Sequence, residues 1–124
     1  MAINKYQIKF TEQEDAYLKT FLSRESFRIG RLPKKQQGDK ENTVALKLGA
    51  KIGPDSIFNR VEIKILLRLI ENFILIMRTM TLPEYDRRIA ANPDQRAFYQ
   101  KYIDKHEIEL DLCEAMFKKV DGLL

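Results

Sequence analysis

The run from Asp55 to Met80, DSIFNRVEIKILLRLIENFILIMRTM, reads as one long helix that is apolar around most of its circumference. Its polar residues Arg60, Lys64, Arg68, Glu71, Asn72 and Thr79 recur at spacings of three, four and seven, which puts them on one narrow stripe. Most of what lies between them is Ile, Leu, Val, Phe or Met. A helix with so little polar surface is either the central element of a core or a face shared with another subunit. If a second helix covers only one side of it, the other side needs a partner, and a homodimer is the simplest answer. Cover by the N-terminal part of the same chain is the other answer. We expect an oligomer.

A chain of 124 residues fits one domain, 1–124, with room for a core that needs no disulfide or metal staple. With 44% apolar and 32% charged residues it falls outside the compositional class of disordered chains. The longest uninterrupted apolar stretch, Phe73 to Met77, is far short of the ~20 residues a bilayer requires, so no membrane span is expected. The opening MAINKYQIKF lacks a basic segment followed by an apolar one, and no secretory signal is expected. Cys113 is the single cysteine, which fits a reducing, cytoplasmic setting.

Around the long helix the chain divides into short units. Tyr6, Ile8 and Phe10 alternate with polar neighbours, the period of a half-buried strand. Thr11-Glu-Gln-Glu14 is a capping box, and Tyr17, Leu18, Phe21 and Leu22 continue from it as one apolar stripe to about Phe27. From Arg28 to Lys51 the helical period disappears, and Pro33 and Gly38 mark an exposed, flexible loop. Val44, Leu46 and Leu48 alternate as a second strand that can pair with residues 6–10, or with 27–32 as a hairpin. Asp55 or Ser56 can cap the long helix. Thr81-Leu-Pro-Glu84 predicts a corner and then a short helix over 82–91. Asn92-Pro-Asp-Gln95 predicts a cap for a last helix from Pro93 to about Val120, on which Tyr99, Tyr102, His106, Leu110, Cys113, Phe117 and Val120 share a face.

Charge is distributed unevenly. Residues 24–51 hold eight cations against three anions, a balance of +5, while the rest of the chain balances to −1. All the excess positive charge therefore sits in one segment, which bears on polyanionic partners and not on fold. Its cations Arg28, Arg31, Lys34, Lys35, Lys40, Lys47 and Lys51 read as lying on non-helical chain, where long side chains can follow a phosphate backbone. Phe27 and Tyr6 can add stacking where exposed. The plain alternative is a solvated loop that keeps the protein soluble.

Catalytic signatures are weak. His106, Glu109 and Cys113 stand at i, i+3 and i+7 and share a helix face, but a tetrahedral metal site needs further ligands at set spacings. A chain with one His and one Cys does not supply them, and both residues lie on an apolar stripe where they pack readily. HEIEL lacks the second histidine of a metalloprotease helix. Seven positions on one helix separate His106 from Cys113 by ~10 Å along the axis, too far for a dyad. Glu107, Asp111 and Glu114 share a face, as solvated acidic rows do. No glycine pattern matches a P-loop, and Gly49 to Gly53 before a helix is too common a phosphate signal to carry weight.

The segment KYQIKFTEQEDAYLKTFL, residues 5–22, resembles the strand and capped helix of ribbon-helix-helix DNA-binding proteins. It covers under a fifth of the chain. Such proteins continue within a few residues into a second core helix, whereas here the basic, proline-containing segment follows, so the resemblance assigns no family.

The expected fold is α+β and predominantly helical, with a small N-terminal two- or three-stranded sheet packed on a long C-terminal helical hairpin. The expected function is non-enzymatic, without cofactor or metal. An oligomeric, homodimeric protein would contact nucleic acid or a phosphate-bearing nucleotide through the basic segment. The alternative is an accessory factor that binds another protein, as adaptor or inhibitor, through its helical hairpin.

Overall fold

The computed structural model describes residues 5–31, 47–53 and 57–123. In chain order these form strand β1 (Tyr6–Gln7), helix α1 (Glu12–Gly30), a helical stretch over 47–51 and strand β2 (Ile57–Phe58). Helix α2 (Arg60–Ile76), a π-helical turn (Met77–Thr81) and helix α3 (Leu82–Ala91) follow, then a 3₁₀ turn (Pro93–Gln95) and helix α4 (Arg96–Asp121). The fold is predominantly helical, with a two-stranded antiparallel sheet at the N-terminus and a long C-terminal helix pair.

The sheet pairs Tyr6 with Phe58 and Gln7 with Ile57. Both pairings considered from the sequence, residues 6–10 or 27–32 with a strand ending at Leu48, give way to this one. Residues 27–30 belong to α1, whose last turn is held by the Arg28 guanidinium on the Glu25 carboxylate and by a cation near a negative helix end. Residues 47–51 are helical because Leu48 and Ile52, four apart, both turn into the core. Residues 32–46, which include the rest of the expected strand and loop, lie outside the described residues.

Helix α1 starts as its capping box dictates. The Thr11 amide donates to Glu14 Oε1 at 2.9 Å and the Glu14 amide donates to Thr11 Oγ1 at 3.1 Å. Helix α2 starts three or four residues later than a cap at Ser56 or Asp55 would place it. Asn59 is the cap, its Oδ1 accepting from the Glu62 amide at 2.8 Å while Glu62 Oε1 accepts from the Asn59 amide at 2.9 Å. Ile57 and Phe58 are drawn instead into the sheet, where the Phe58 side chain is buried.

The corner expected at Thr81 does not form. Thr81 (φ −71°, ψ −54°) and Leu82 (φ −66°, ψ −44°) keep helical backbone, so α2, the π turn and α3 make one continuous rod. Pro83 has no amide to donate and its ring crowds the preceding turn. The wider π turn, in which the Leu82 amide donates to Met77 O, accommodates both effects without a break. The rod and α4 then run antiparallel, with Arg78 paired to Glu114 and Tyr85 beside His106.

Helix α1 lies over the seam of this helical hairpin. Phe21 meets Phe73 of α2 edge-on, with ring centroids 5.4 Å apart, and Tyr17 meets Cys113 of α4. One cluster of buried side chains joins Ile8, Leu18, Phe21, Leu22, Leu48 and Phe58 to Ile63, Leu66 and Ile70 of α2 and to Cys113, Met116 and Val120 of α4. The core therefore fills the half of the hairpin nearest the termini of α2 and α4. In the other half, among the described residues of α3 and the start of α4, only Ile89 and Ile103 are buried.

Candidate functional site

The described cations of the basic segment do not share one surface. Arg28 stands on the last turn of α1, with its guanidinium 2.8 and 3.1 Å from Glu25 Oε2. Arg31 lies over the ring of Phe27, 4.4 Å from its centroid, and that ring is 64% exposed. Lys47 is exposed on the helical stretch, and Lys51 places Nζ 2.9 Å from Glu62 Oε1. Arg28 lines a cavity with Ile76, whereas Lys51 sits by Glu62; fourteen positions of one helix part them by ~20 Å. Arg28, Lys47 and Lys51 thus stand on helical chain, contrary to the expectation from periodicity. Lys34, Lys35 and Lys40 lie outside the described residues.

A buried polar line runs between α1 and α4. Glu109, only 8% exposed, accepts from the Tyr17 hydroxyl at 3.5 Å and lies 3.8 Å from the Arg24 guanidinium. Arg24 also donates to Tyr17 Oη at 3.3 Å, and Cys113 Sγ stands 3.8 Å from that oxygen. Toward the open end His106 Nδ1 is 3.9 Å from Glu109 Oε2, and His106 Nε2 is 3.3 Å from Tyr85 Oη. Burial pushes the Tyr17 hydroxyl well above its ordinary value. Burial also pushes the Cys113 thiol up to about 11, although the hydrogen bond with Tyr17 works in the other direction.

These shifts decide what the line can do. A thiol held that high stays protonated at neutral pH and is not a nucleophile. Tyr17 and Glu109 occupy the space between His106 and Cys113, so imidazole and thiol do not meet. Among the described residues, no group of three His, Cys, Asp or Glu side chains is arranged to hold a metal ion. The line joins α1 to the hairpin.

Beyond the end of α1, no other described segment covers the hairpin seam. The α4 stripe that faces α1 through Cys113 and Glu109 continues by steps of three and four to His106, Tyr102 and Phe98, and α1 stops short of the last two. Phe98 is 50% exposed, Tyr102 40% and Ile76 49%. These two exposed rings touch each other and stand in one group with the half-buried rings of Tyr85, Tyr99 and His106. Tyr85 stacks on His106 and on Tyr102, with centroids 5.7 and 6.4 Å apart, and Phe98 meets Tyr99 and Tyr102 edge-on at 5.2 and 5.5 Å. Lys101 lies over both Phe98 and Tyr102. A cavity of about 330 Å³ lined by Glu25, Arg28, Asn72, Ile76, Thr81 and His106 marks where α1 ends and the open seam begins.

Comparison with protein-family models, with curated proteins and with solved structures finds no significant match. Among the described residues no helix is long and apolar enough to cross a membrane.

Periodicity had put Tyr99, Tyr102 and His106 on one face of α4, but it did not single out Phe98 or Tyr85. The signal available was length. A stripe of about 23 residues on α4 faces an α1 of 19, offset toward the other end of the hairpin, so one of the two must project past the other.

Proposed function

We propose that this is a protein-binding accessory factor that receives another polypeptide on the open half of its helical hairpin and performs no chemistry of its own. The observation that carries this reading is the exposed pair Phe98 and Tyr102, with half-buried Tyr85 stacked on Tyr102, in line with the α4 stripe that α1 covers in the other half. Scattered apolar residues are normal on a protein surface, but adjoining rings in line with a helix-packing seam match the helix-in-groove mode of recognition. Residues 82–107 carry five cations and five anions, so this end offers no net field to a polyanion. Aromatic side chains on a charge-balanced surface are the composition of protein interfaces. The protonated state of Cys113 supports a role without nucleophilic catalysis.

The test is copurification from the native host with wild-type protein and with the Phe98→Ala/Tyr102→Ala pair. A stoichiometric partner held by the first and lost from the second supports the reading, provided both fold alike by circular dichroism. A partner retained by the pair, or none held by either, would overturn it.

One observation favours a second reading, contact with nucleic acid or a nucleotide. The exposed Phe27 ring capped by Arg31 offers a stacking platform beside Arg28, at the entrance to the segment that holds Lys34, Lys35 and Lys40. Anisotropy of labelled single- and double-stranded oligonucleotides at low and moderate salt tests it, because phosphate contacts give affinity that falls steeply with salt. Absence of binding at low salt would sink it.

A further inference from the structure

We propose that the open seam receives an acidic amphipathic helix of a partner protein, with apolar anchors over Phe98 and Tyr102 and carboxylates facing Lys101 and Lys105. Naming this chemistry rests on the protein-binding reading and adds to it the kind of partner.

The charges at this end of the hairpin balance in number but are divided between faces. Asp86, Arg96 and Glu107 line a cavity between α3 and α4, and Asp104 accepts from Gln100 of the same cavity at 2.9 Å. At 3.6 residues per turn Gln100 and Glu107 lie about 150° around α4 from Tyr102, on the face turned away from the seam. Glu84 is engaged by Arg87 and Arg88, and Asp94 stands in the 3₁₀ turn before α4 begins.

The charge placed along the open stripe itself is cationic. Lys101 holds Nζ 5.5 Å from the Phe98 centroid and 5.9 Å from that of Tyr102. Lys105, four positions on, stands on the same flank of α4. Both lysines are exposed, and among the described residues no ion pair holds either of them. Arg31 adds a cation where α1 ends, over the Phe27 ring.

Helix α1 shows what the seam asks of a helix laid in it. It runs antiparallel to α4, with Glu14 paired to Lys119 and Arg24 3.8 Å from Glu109, so at both places it meets α4 with the opposite charge. Beyond Glu109 the sign on that flank of α4 changes, to Lys105 and Lys101. A helix that meets α4 there in the same way presents Asp or Glu. From Phe98 to His106 the stripe is ~12 Å long at the helical rise, room for apolar anchors at i, i+4 and i+7. Phosphates would also meet the lysines, so nucleic acid is the rival that the test must separate.

Two labelled, helix-forming peptides make that test. Each carries Leu at i, i+4 and i+7, with Glu flanking the stripe in one and Lys flanking it in the other. Anisotropy is expected to show the Glu peptide bound at least about tenfold more tightly, with an advantage that shrinks as salt rises. Lys101→Glu/Lys105→Glu changes two exposed positions outside the buried cluster, and is expected to reverse the preference. Phe98→Ala/Tyr102→Ala is expected to weaken both peptides. Equal binding of the two, a preference for the Lys peptide, no binding of either, or a preference that survives the charge reversal overturns the acidic-helix assignment. So does an unlabelled oligonucleotide that displaces the Glu peptide more effectively than the unlabelled peptide does, which would give the seam to nucleic acid. The protein-binding reading is judged separately, by copurification with the Phe98→Ala/Tyr102→Ala pair. A partner lost from that pair but docking without an acidic helix removes only the chemistry proposed here, and the absence of any such partner removes both.

Discussion

The Tyr17 hydroxyl and the Glu109 carboxylate, 92 positions apart in the chain, meet at 3.5 Å across the contact of α1 with α4. Glu109 is nearly buried, and its other neighbours are Arg24 at 3.8 Å and His106 at 3.9 Å. Removing the hydroxyl leaves that carboxylate without its nearest donor. Tyr17→Phe is therefore expected to lower stability by about 1 kcal/mol, read as a shift in urea midpoint at unchanged slope. An unshifted midpoint would mean that Arg24 alone satisfies Glu109.

Cys113 reports on the same contact by its reactivity. The thiol is fully buried, and burial raises it from 9.0 to about 11. At mildly alkaline pH its thiolate fraction is lower than that of an ordinary thiol by roughly a hundredfold, and access lowers the rate further. Labelling in the folded protein is expected to be slower than in denaturant by at least that factor. It should accelerate in Tyr17→Phe in step with the lost stability. Rapid labelling of the folded wild type would mean that α1 lifts from the hairpin far below global unfolding.

Adjacent carboxylates at the start of α1 respond to acid in opposite senses. Burial alone would raise Glu14, but the hydrogen bond from Lys119, the Thr11 amide and the Thr11 hydroxyl outweigh it and hold the group below its ordinary 4.5. The unfolded chain then takes up its proton first, so this contribution is complete above the ordinary value and is lost as pH falls through the folded one. Asp15 is raised by burial, with Glu14 adding to the effect and Lys19 and Lys119 opposing it, and its Oδ1 has no hydrogen-bond partner. Its ionised form opposes folding, and acid relieves that. Glu14→Gln is expected to cost about 1–3 kcal/mol at neutral pH and to flatten the acid limb of the stability curve. Asp15→Asn should give a smaller change of opposite sign. Parallel acid limbs in wild type and Glu14→Gln would exclude the Lys119 contact from the folded state.

Asn59 sets the start of the rod. Its side chain satisfies the Glu62 amide, and Glu62 answers to the Asn59 amide while also holding Lys51. Asn59→Ala is expected to cost about 1 kcal/mol in thermal or denaturant unfolding. Glu62→Ala removes one hydrogen bond of the box and the Lys51 contact together, so it should cost at least as much. A neutral Asn59→Ala would place the cap elsewhere.

What could be read from the sequence was what local chemistry decides. The Thr11–Glu14 box, the α1 stripe, the apolar rod and the face of α4 all rest on spacings within a few turns. The fold class followed from them. Two further signals were local but outweighed by nearer rivals: Asn59 and Glu62 formed a capping box that Asp55 and Ser56 obscured, and Pro83 suggested a corner that a π turn removed. Strand partners were not legible, because β1 pairs with a two-residue segment about fifty positions away whose alternation is too short to register. The open seam was not legible for a related reason. Which ring is covered depends on where α1 ends along the hairpin, and that is fixed by Glu14 on Lys119 and Tyr17 on Glu109.

The cations at the end of α1 allow a direct test of the nucleic-acid reading, because one of them is held by an internal anion. Glu25, whose side chain is largely buried, takes both the Nε and the Nη2 donors of Arg28. An arginine so engaged has less to offer a phosphate. Glu25→Gln weakens that hold without shortening the side chain. If Arg28 and Arg31 meet a nucleic-acid backbone, the variant is expected to bind oligonucleotides more tightly at low salt and to steepen the salt slope by about one unit, the value of one added phosphate contact. Arg31→Ala should act in the opposite direction, losing the cation above the Phe27 ring. Anisotropy titrations at several salt concentrations measure both. Slopes unchanged in the two variants would take the end of α1 out of any nucleic-acid interface and leave the open hairpin seam as the binding surface.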